Sequence, residues 1–147
     1  MAVQEYVGEL VELGPSKEGG LWRIYSYIKI GNDIIKKVSV RATFNQILRD
    51  QVQREGICKL HIMNWFFRPM LIAVTQDDGQ TFRMSLSKAY AISGFFILAI
   101  LFVLFFALSS GSLTVGVIAF CAFLAIPIIP WGLMISKVHK VKADHIY

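Results

Sequence analysis

Apolar and polar positions alternate along the first half of the chain, whereas the second half contains long uninterrupted apolar runs. The alternation predicts short strands at about residues 5–13, 21–30, 34–41, 57–65 and 70–75. After the third strand, a helical spacing places four apolar residues on one side, namely Phe44, Ile47, Leu48 and Val52. Thr43 with Gln46 fits a capping box at the start of this helix, and Gly56 fits its end.

Glycine, proline and polar clusters predict the connections between these elements. The segment 14–20 is predicted to be a plain loop, and residues 31–33 a hairpin connection. Arg68-Pro69 is predicted to turn the chain between the fourth and fifth strands, and residues 76–80 form the last turn. Gly8 indicates a bulge or bend in the first strand.

The order of three strands, one helix and two strands (β-β-β-α-β-β) resembles the topology of an OB-type small barrel. The resemblance is topological and covers roughly residues 5–85. An open sheet with one helix packed on it has the same elements and is the alternative architecture. The resemblance implies a small soluble β domain, so the fold class of the whole chain is α+β.

Two runs in the second half have the length and composition of transmembrane helices. Residues 89–108 and 113–135 contain no charged side chain, and about 20 apolar residues suffice to cross the hydrocarbon core of a bilayer. The short polar linker 109–112 predicts a tight helical hairpin. We therefore divide the chain into a β domain (1–86), a transmembrane hairpin (87–136) and a basic tail (137–147).

The flanking cations predict the orientation of this hairpin. Arg83 and Lys88 precede the first helix, Lys137, Lys140 and Lys142 follow the second, and the linker has none. The positive-inside rule then places both termini and the β domain in the cytoplasm. The first six residues lack a basic region leading into an apolar run, so we expect no cleaved signal peptide and favour a bacterial inner membrane.

Small residues recur at three- and four-residue spacing on the second helix, which allows close helix packing in lipid. The predicted helix-packing residues are Ser112, Gly116, Ala119, Ala122 and Ala125. They would contact either the first helix of the same chain or a partner. Pro127 and Pro130 are predicted to bend the end of this helix.

Pairing Ile30 with Ile34 across the hairpin separates the second and third strands into two faces. One is mostly apolar, with Trp22, Ile24, Ile28, Ile30, Ile34, Val38 and Val40. The other places aromatic rings between cations and is the first candidate binding surface, with Arg23, Tyr25, Tyr27, Lys29, Lys37 and Arg41. Such a face suits a partner protein, anionic lipid headgroups or single-stranded nucleic acid, or is simply solvated.

A second candidate surface is the aromatic cluster Trp65, Phe66 and Phe67 beside Arg68. Side chains alternate along a strand, so three consecutive aromatic residues cannot all point inward. At least one is expected to be exposed, or to contact a partner or the membrane surface.

Enzymatic, metal-binding and cofactor-binding motifs are absent from the sequence. Histidines 61, 139 and 145 do not form a helical pair at metal spacing, and Cys58 and Cys121 lie in different environments. The net charge of +5 divides into +3 for residues 1–88 and +2 for residues 137–147. Such a moderate excess is first an attraction to anionic lipid and second to nucleic acid.

These observations predict a non-enzymatic accessory or scaffold protein. Its hairpin is embedded in the lipid bilayer, and its cytoplasmic β domain binds a partner protein within a homo-oligomer or a larger membrane complex. A membrane-tethered nucleic-acid-binding module is the first alternative. An oligomeric pore lined by Ser93 or Thr114 is the second.

Overall fold

The computed structural model of the chain describes residues 3–66, 68–111 and 114–147. The chain divides into two compact units. The β unit comprises the residues up to Met84 together with Lys140–Tyr147, and the helical unit comprises Ser85–His139. Part of the predicted basic tail, from residue 140 onward, therefore belongs to the same unit as the N-terminal strands.

The β unit is mostly sheet with one helix. Its elements are β1 (Val3–Leu13), β2 (Ser16–Gly19), β3 (Trp22–Ile30), β4 (Asp33–Arg41), α1 (Ala42–Arg54), β5 (Ile57–Trp65), β6 (Arg68–Thr75), β7 (Thr81–Arg83) and β8 (His145–Ile146). The predicted strands and helix are present at these positions, and the fold class is α+β. Three features were predicted wrongly: segment 14–20 contains strand β2, α1 begins at Ala42 rather than after a Thr43 cap, and the chain turns before Arg68.

Strand β1 is long enough to pair with two different neighbours. Its first part, Val3–Glu9, pairs antiparallel with β5, and its last residues pair antiparallel with β3. The ladder with β3 is irregular between Leu10 and Glu12, so the bulge lies there and not at Gly8. Gly8 instead permits a close approach, since a Cβ on it would lie 3.2 Å from the Cα of Gly31.

Strands β4 and β6 connect β3 with β5, which are the two neighbours of β1. Strand β3 pairs antiparallel with β4, and β6 pairs antiparallel with β5. Strand β4 also meets β6 in a parallel pair at Ser39 and Met70. Strands β7 and β8 extend the sheet beyond β6, with β8 parallel to β7.

The hydrophobic core lies between the sheet and α1. Strand β6 is buried continuously from Met70 to Val74, as expected for a strand covered on both faces. Phe44 and Leu48 of α1 are fully buried, as are Ile28, Val38 and Leu60 of the sheet.

The helical unit contains α2 (Ser87–Ser109), α3 (Val115–Ala125) and α4 (Ile128–His139). Residues 87–109 and 115–139 are both long and apolar enough to cross a membrane, and only 6% of each apolar window is buried. The core helices of a soluble protein would be mostly covered by other elements. Two so exposed apolar helices therefore indicate a membrane protein.

The second predicted span is interrupted at its first proline. Helix α3 ends at Ala125 and α4 begins at Ile128, so the regular helix is interrupted at Pro127, where a bend was predicted. Pro130 lies in the first turn of α4, where a missing backbone N–H removes no helical hydrogen bond.

Helix α2 packs against both α3 and α4. Its buried and half-buried positions include Ala89, Ser93, Phe96, Ile100, Val103 and Ala107, which alternate in steps of four and three. Half-buried positions of the second span at Val117, Cys121, Leu124, Ile128, Trp131 and Ile135 follow the same steps. This 3.5-residue period is the one that packs two helices along a left-handed seam.

Candidate functional site

The predicted basic aromatic face does not form as one surface, because the register of the β3–β4 hairpin was predicted wrongly by one residue. Ile30 pairs with Asp33 across a two-residue Gly31-Asn32 turn, so Ile34 lies opposite Lys29 and is 57% exposed. A slip of one residue exchanges the two faces of a strand.

The two strands also change their buried face along their length. On β4 the buried positions are Ile35, Val38 and Val40, and the three-residue step from 35 to 38 spans Lys37. The backbone of Lys37 is in the left-handed region, with φ of 54°. The same step occurs on β3 between Tyr25 and Ile28. The regular alternation used to predict one continuous face therefore fails at this point.

The two tyrosines of the predicted face have intramolecular roles. Tyr25 is only 3% exposed, and its hydroxyl donates to Oδ1 of Asn45 on α1. Tyr27 is half-buried and donates to a carboxylate oxygen of Glu12, which together with burial raises the pKa of its hydroxyl. Its ring covers Gly14, where a Cβ would lie 2.6 Å from Cδ1 of Tyr27.

The cations of that face are also separated. Arg23 forms an ion pair with Glu18 of β2, and Nη1 of Arg41 donates to the main-chain oxygen of Tyr147 at 3.2 Å. Lys29 is half-buried beside Ile34, whereas Lys37 is exposed. Of the six predicted residues, Tyr25 and Lys37 border the groove described next.

A groove of about 800 Å³ opens on the β unit, and four of its lining residues are cations. It is lined by Pro15, Ser16, Lys17, Ile24, Tyr25, Ser26, Lys36, Lys37, Arg68 and Pro69. We call this the basic groove. Its walls come from the β1–β2 connection, β2, β3, β4 and the start of β6. Residues far apart in the chain thus converge on one concavity.

The basic groove is electrostatically one-sided. None of its lining residues within the described parts of the chain is acidic. Its cations Lys17, Lys36, Lys37 and Arg68 have no ion-pair partner among the residues that the structure describes. A concave surface lined by charges of one sign concentrates the field and attracts ligands of opposite charge.

Sequence reasoning missed two of these four cations. Lys17 was assigned to a loop, and Lys36 was placed opposite Ile28 on the apolar side by the slipped register. A two-residue Gly-Asn turn, which is a common hairpin connection, was the signal that would have placed Lys36 correctly.

The aromatic cluster lies at the turn between β5 and β6. Trp65 pairs with Arg68 across the strands, and the ring of Phe66 contacts that of Trp65 edge-to-face at a centroid distance of 5.0 Å. Phe66 is 60% exposed and has φ of 43°. Phe67, the third predicted aromatic residue, lies outside the described residues.

Two potentially reactive side chains of the β unit are buried. Burial raises the pKa of the Cys58 thiol to about 11, which keeps it protonated at neutral pH. Burial also lowers the pKa of His61, whose Nδ1 lies 3.4 Å from Oε1 of Glu5. Among the described residues, no group of three or more His, Cys, Asp or Glu is placed to hold a metal ion.

The small residues of the second span point away from the hairpin seam. Gly116, Ala119 and Ala122 are exposed and Ala125 is half-buried. Ser112, the first residue of the predicted track, lies outside the described residues. The helix-packing role predicted for these residues therefore involves no close contact with α2 at the three exposed positions.

No protein-family model, curated protein or solved structure matches this chain. The functional interpretation consequently depends on the groove, the aromatic turn and the two apolar spans.

Proposed function

We propose that this protein is a non-enzymatic membrane-anchored adaptor or scaffold whose β unit binds an acidic segment of a partner protein in the basic groove. The observation that carries the proposal is the convergence of four cations on one concavity that has no acidic lining residue among those described. The two exposed apolar spans supply the anchor. Binding the partner would then hold it at the membrane.

The strand pairings support an OB-type barrel for the β unit. The circuit β1–β3–β4–β6–β5–β1 returns to its start, and α1 connects β4 to β5. OB-type barrels bind ligands on their second and third strands and on the loops that follow the first and fourth strands. The basic groove is lined by β3, β4, the segment after β1 and the start of β6, which directly follows the loop after the fourth strand of the barrel.

The connectivity of the chain supports a hairpin that begins and ends on one side of the membrane. The β unit contains the segments that directly precede and follow the helical unit. The helical unit has two candidate spans, and an even number of crossings returns the chain to the side from which it started. By the positive-inside rule, the flanking cations Lys88 and Lys137 favour the cytoplasm as that side, and we propose a bacterial inner membrane.

An acidic protein segment fits the groove better than single-stranded nucleic acid does. Non-specific single-strand binding depends on base stacking against exposed aromatic rings as well as on cations. Among the residues that the structure describes, Tyr25 is the one aromatic residue that lines the groove, and it is buried and bonded to Asn45. The described lining of the groove thus offers charge and shape without a stacking platform.

The pore alternative has no comparable support. Ser93 is buried in the α2 seam, and Thr114 caps the start of α3 by accepting from the backbone N–H of Val117. Ser93 is therefore covered within the helical unit, and the Thr114 hydroxyl has a capping role in α3.

Site-specific crosslinking of the full-length protein would test the groove as a partner site. A photo-reactive amino acid at Ser26, which is exposed in the groove, should capture a partner protein in cells. The same group at Asn32, exposed on the β3–β4 turn, is the positional control. Capture at both positions, or at neither, would reject the groove as the binding site.

Charge-reversal variants test whether capture at Ser26 depends on the groove cations or only on the exposure of that position. Lys17→Glu combined with Lys36→Glu should abolish capture at Ser26, because both cations line the groove. Arg49→Glu combined with Arg54→Glu makes the same change in net charge on exposed positions of α1 outside the groove and should preserve it. Capture that survives reversal in the groove would contradict the proposal. A nuclease-sensitive crosslinked product would instead favour the nucleic-acid alternative.

A further inference from the structure

The β5–β6 turn combines exposed aromatic surface with an unfavourable backbone conformation. Trp65 pairs with Arg68, so two residues connect the strands, as in the tightest hairpins. Such connections favour Asn or Gly, because they require positive φ, which is costly for most L-residues. Phe66 nevertheless occupies this turn with φ of 43° and is 60% exposed.

The sister hairpin of the same unit has the expected turn residues. The β3–β4 connection is also two residues long, and Gly31 takes its positive φ of 53°. At the β3–β4 turn, where the positive φ is the one requirement, the chain has a glycine. At the β5–β6 turn it places an exposed phenylalanine, which folding of the β unit does not require.

We propose that the β5–β6 turn docks onto the surface of a bilayer that contains anionic phospholipid. Phe66 and Trp65 would enter the interfacial region, and Arg68 would contact headgroup phosphates. Aromatic rings with a neighbouring cation favour that region, since it offers both an apolar and a polar contact.

The charge around the turn specifies the lipid class. Arg68 lies directly across the strands from Trp65 and shares the wall of the basic groove with Lys36 and Lys37. Each Lys or Arg close to an anionic leaflet strengthens membrane binding about fivefold. The occupant of the turn is therefore a negatively charged bilayer surface rather than a neutral one.

The β5–β6 turn can make this contact even if it binds lipid weakly, because the chain has a membrane anchor. The helical unit is covalently joined to the β unit at both of its ends. A tethered domain meets the bilayer at a high effective concentration, so one aromatic turn and a few cations suffice.

Quenching of single tryptophans by brominated lipid in liposomes would test the proposal on the full chain. Trp22→Phe with Trp131→Phe leaves Trp65 as the reporter, and Trp65→Phe with Trp131→Phe leaves Trp22, also half-buried on the β unit, as the control. With shallow brominated, anionic liposomes, Trp65 should be strongly quenched and Trp22 should not. Equal quenching of both, or of neither, would overturn the proposal.

Lipid charge and turn chemistry provide the discriminating variants in the Trp65 reporter. Neutral liposomes and Arg68→Glu should both reduce the quenching. Phe66→Asn should also reduce it while raising the thermal midpoint of unfolding, since Asn tolerates positive φ better than Phe does. Quenching that is equal in neutral and anionic liposomes, or unchanged by Phe66→Asn, would refute the docking role.

Discussion

Replacing Lys37 by asparagine should stabilise the β unit, although Lys37 is an ordinary exposed residue by sequence. Its φ of 54° lies in the left-handed region, which costs most L-residues about 1–2 kcal/mol and costs asparagine less. We expect a gain of about 0.5–1 kcal/mol for Lys37→Asn. Lys37→Val should be unfavourable by about 1 kcal/mol, because a β-branched residue is strained further at positive φ.

Lys36 provides a matched control, since it is an exposed lysine on the same strand that is not among the positive-φ residues described. The expected order of stability is reversed there. Lys36→Val should be neutral or stabilising, because valine favours extended strands, and Lys36→Asn should be neutral or destabilising, because asparagine does not.

The buried thiol of Cys58 offers an assay that reports on the β unit alone. A thiol-reactive dye should label Cys58 only after unfolding, because the native side chain is buried with a pKa raised to about 11. In a Cys121→Ala background, the temperature of labelling in detergent then gives the unfolding midpoint. A change of 1 kcal/mol shifts that midpoint by about 4–8 °C in a domain of this size. The same sign of effect for valine at 36 and 37 would refute the backbone argument.

Three further predictions concern packing and charge in the β unit. The free energy of unfolding should fall as the pH drops below about 6.5, because burial lowers the pKa of His61 and the unfolded chain binds the proton first. His61→Gln should flatten this part of the pH profile of the unfolding midpoint. Gly56→Ala should destabilise by about 1–3 kcal/mol, since its Cβ would lie 2.6 Å from Cβ of Asp77, and Asp77→Gly should recover part of the loss in a double-mutant cycle. Asp144→Ala removes the acceptor for the Thr81 backbone N–H and should lower the free energy of unfolding by about 1 kcal/mol. Proteolysis near β7 should become faster. Unchanged cleavage would contradict a role for the tail in closing this edge of the sheet.

The C-terminal tail forms part of the β unit. Asp144 and Thr81 exchange two hydrogen bonds of 2.9 Å, and His145 stacks on Phe82 at 5.0 Å. Strand β8 thereby covers the edge of β7, which would otherwise present unpaired backbone groups. The β unit is thus completed by residues that follow the helical unit in the chain.

The sequence alone determined the features that depend on local pattern and on solvent. Two uncharged apolar runs favour a lipid environment whatever their tertiary contacts, so the apolar spans could be predicted to within four residues at each end. The proline interruption at Pro127 and the α+β class follow in the same way, because a missing N–H and a two-residue alternation act locally.

The tertiary structure decided the features that depend on which residues meet across the sheet. The register of β3 and β4 depends on the length of the hairpin turn, which differs by one residue from the predicted length. Near Lys37, whose backbone is in the left-handed region, both strands also change the face that is buried. The predicted face was divided accordingly, and Tyr25 became part of the core. Lys17 and Arg68, 51 positions apart in the chain, reached one groove only through strand pairing. Contacts between residues so distant in sequence leave no periodic signal, which is why the candidate site required the fold.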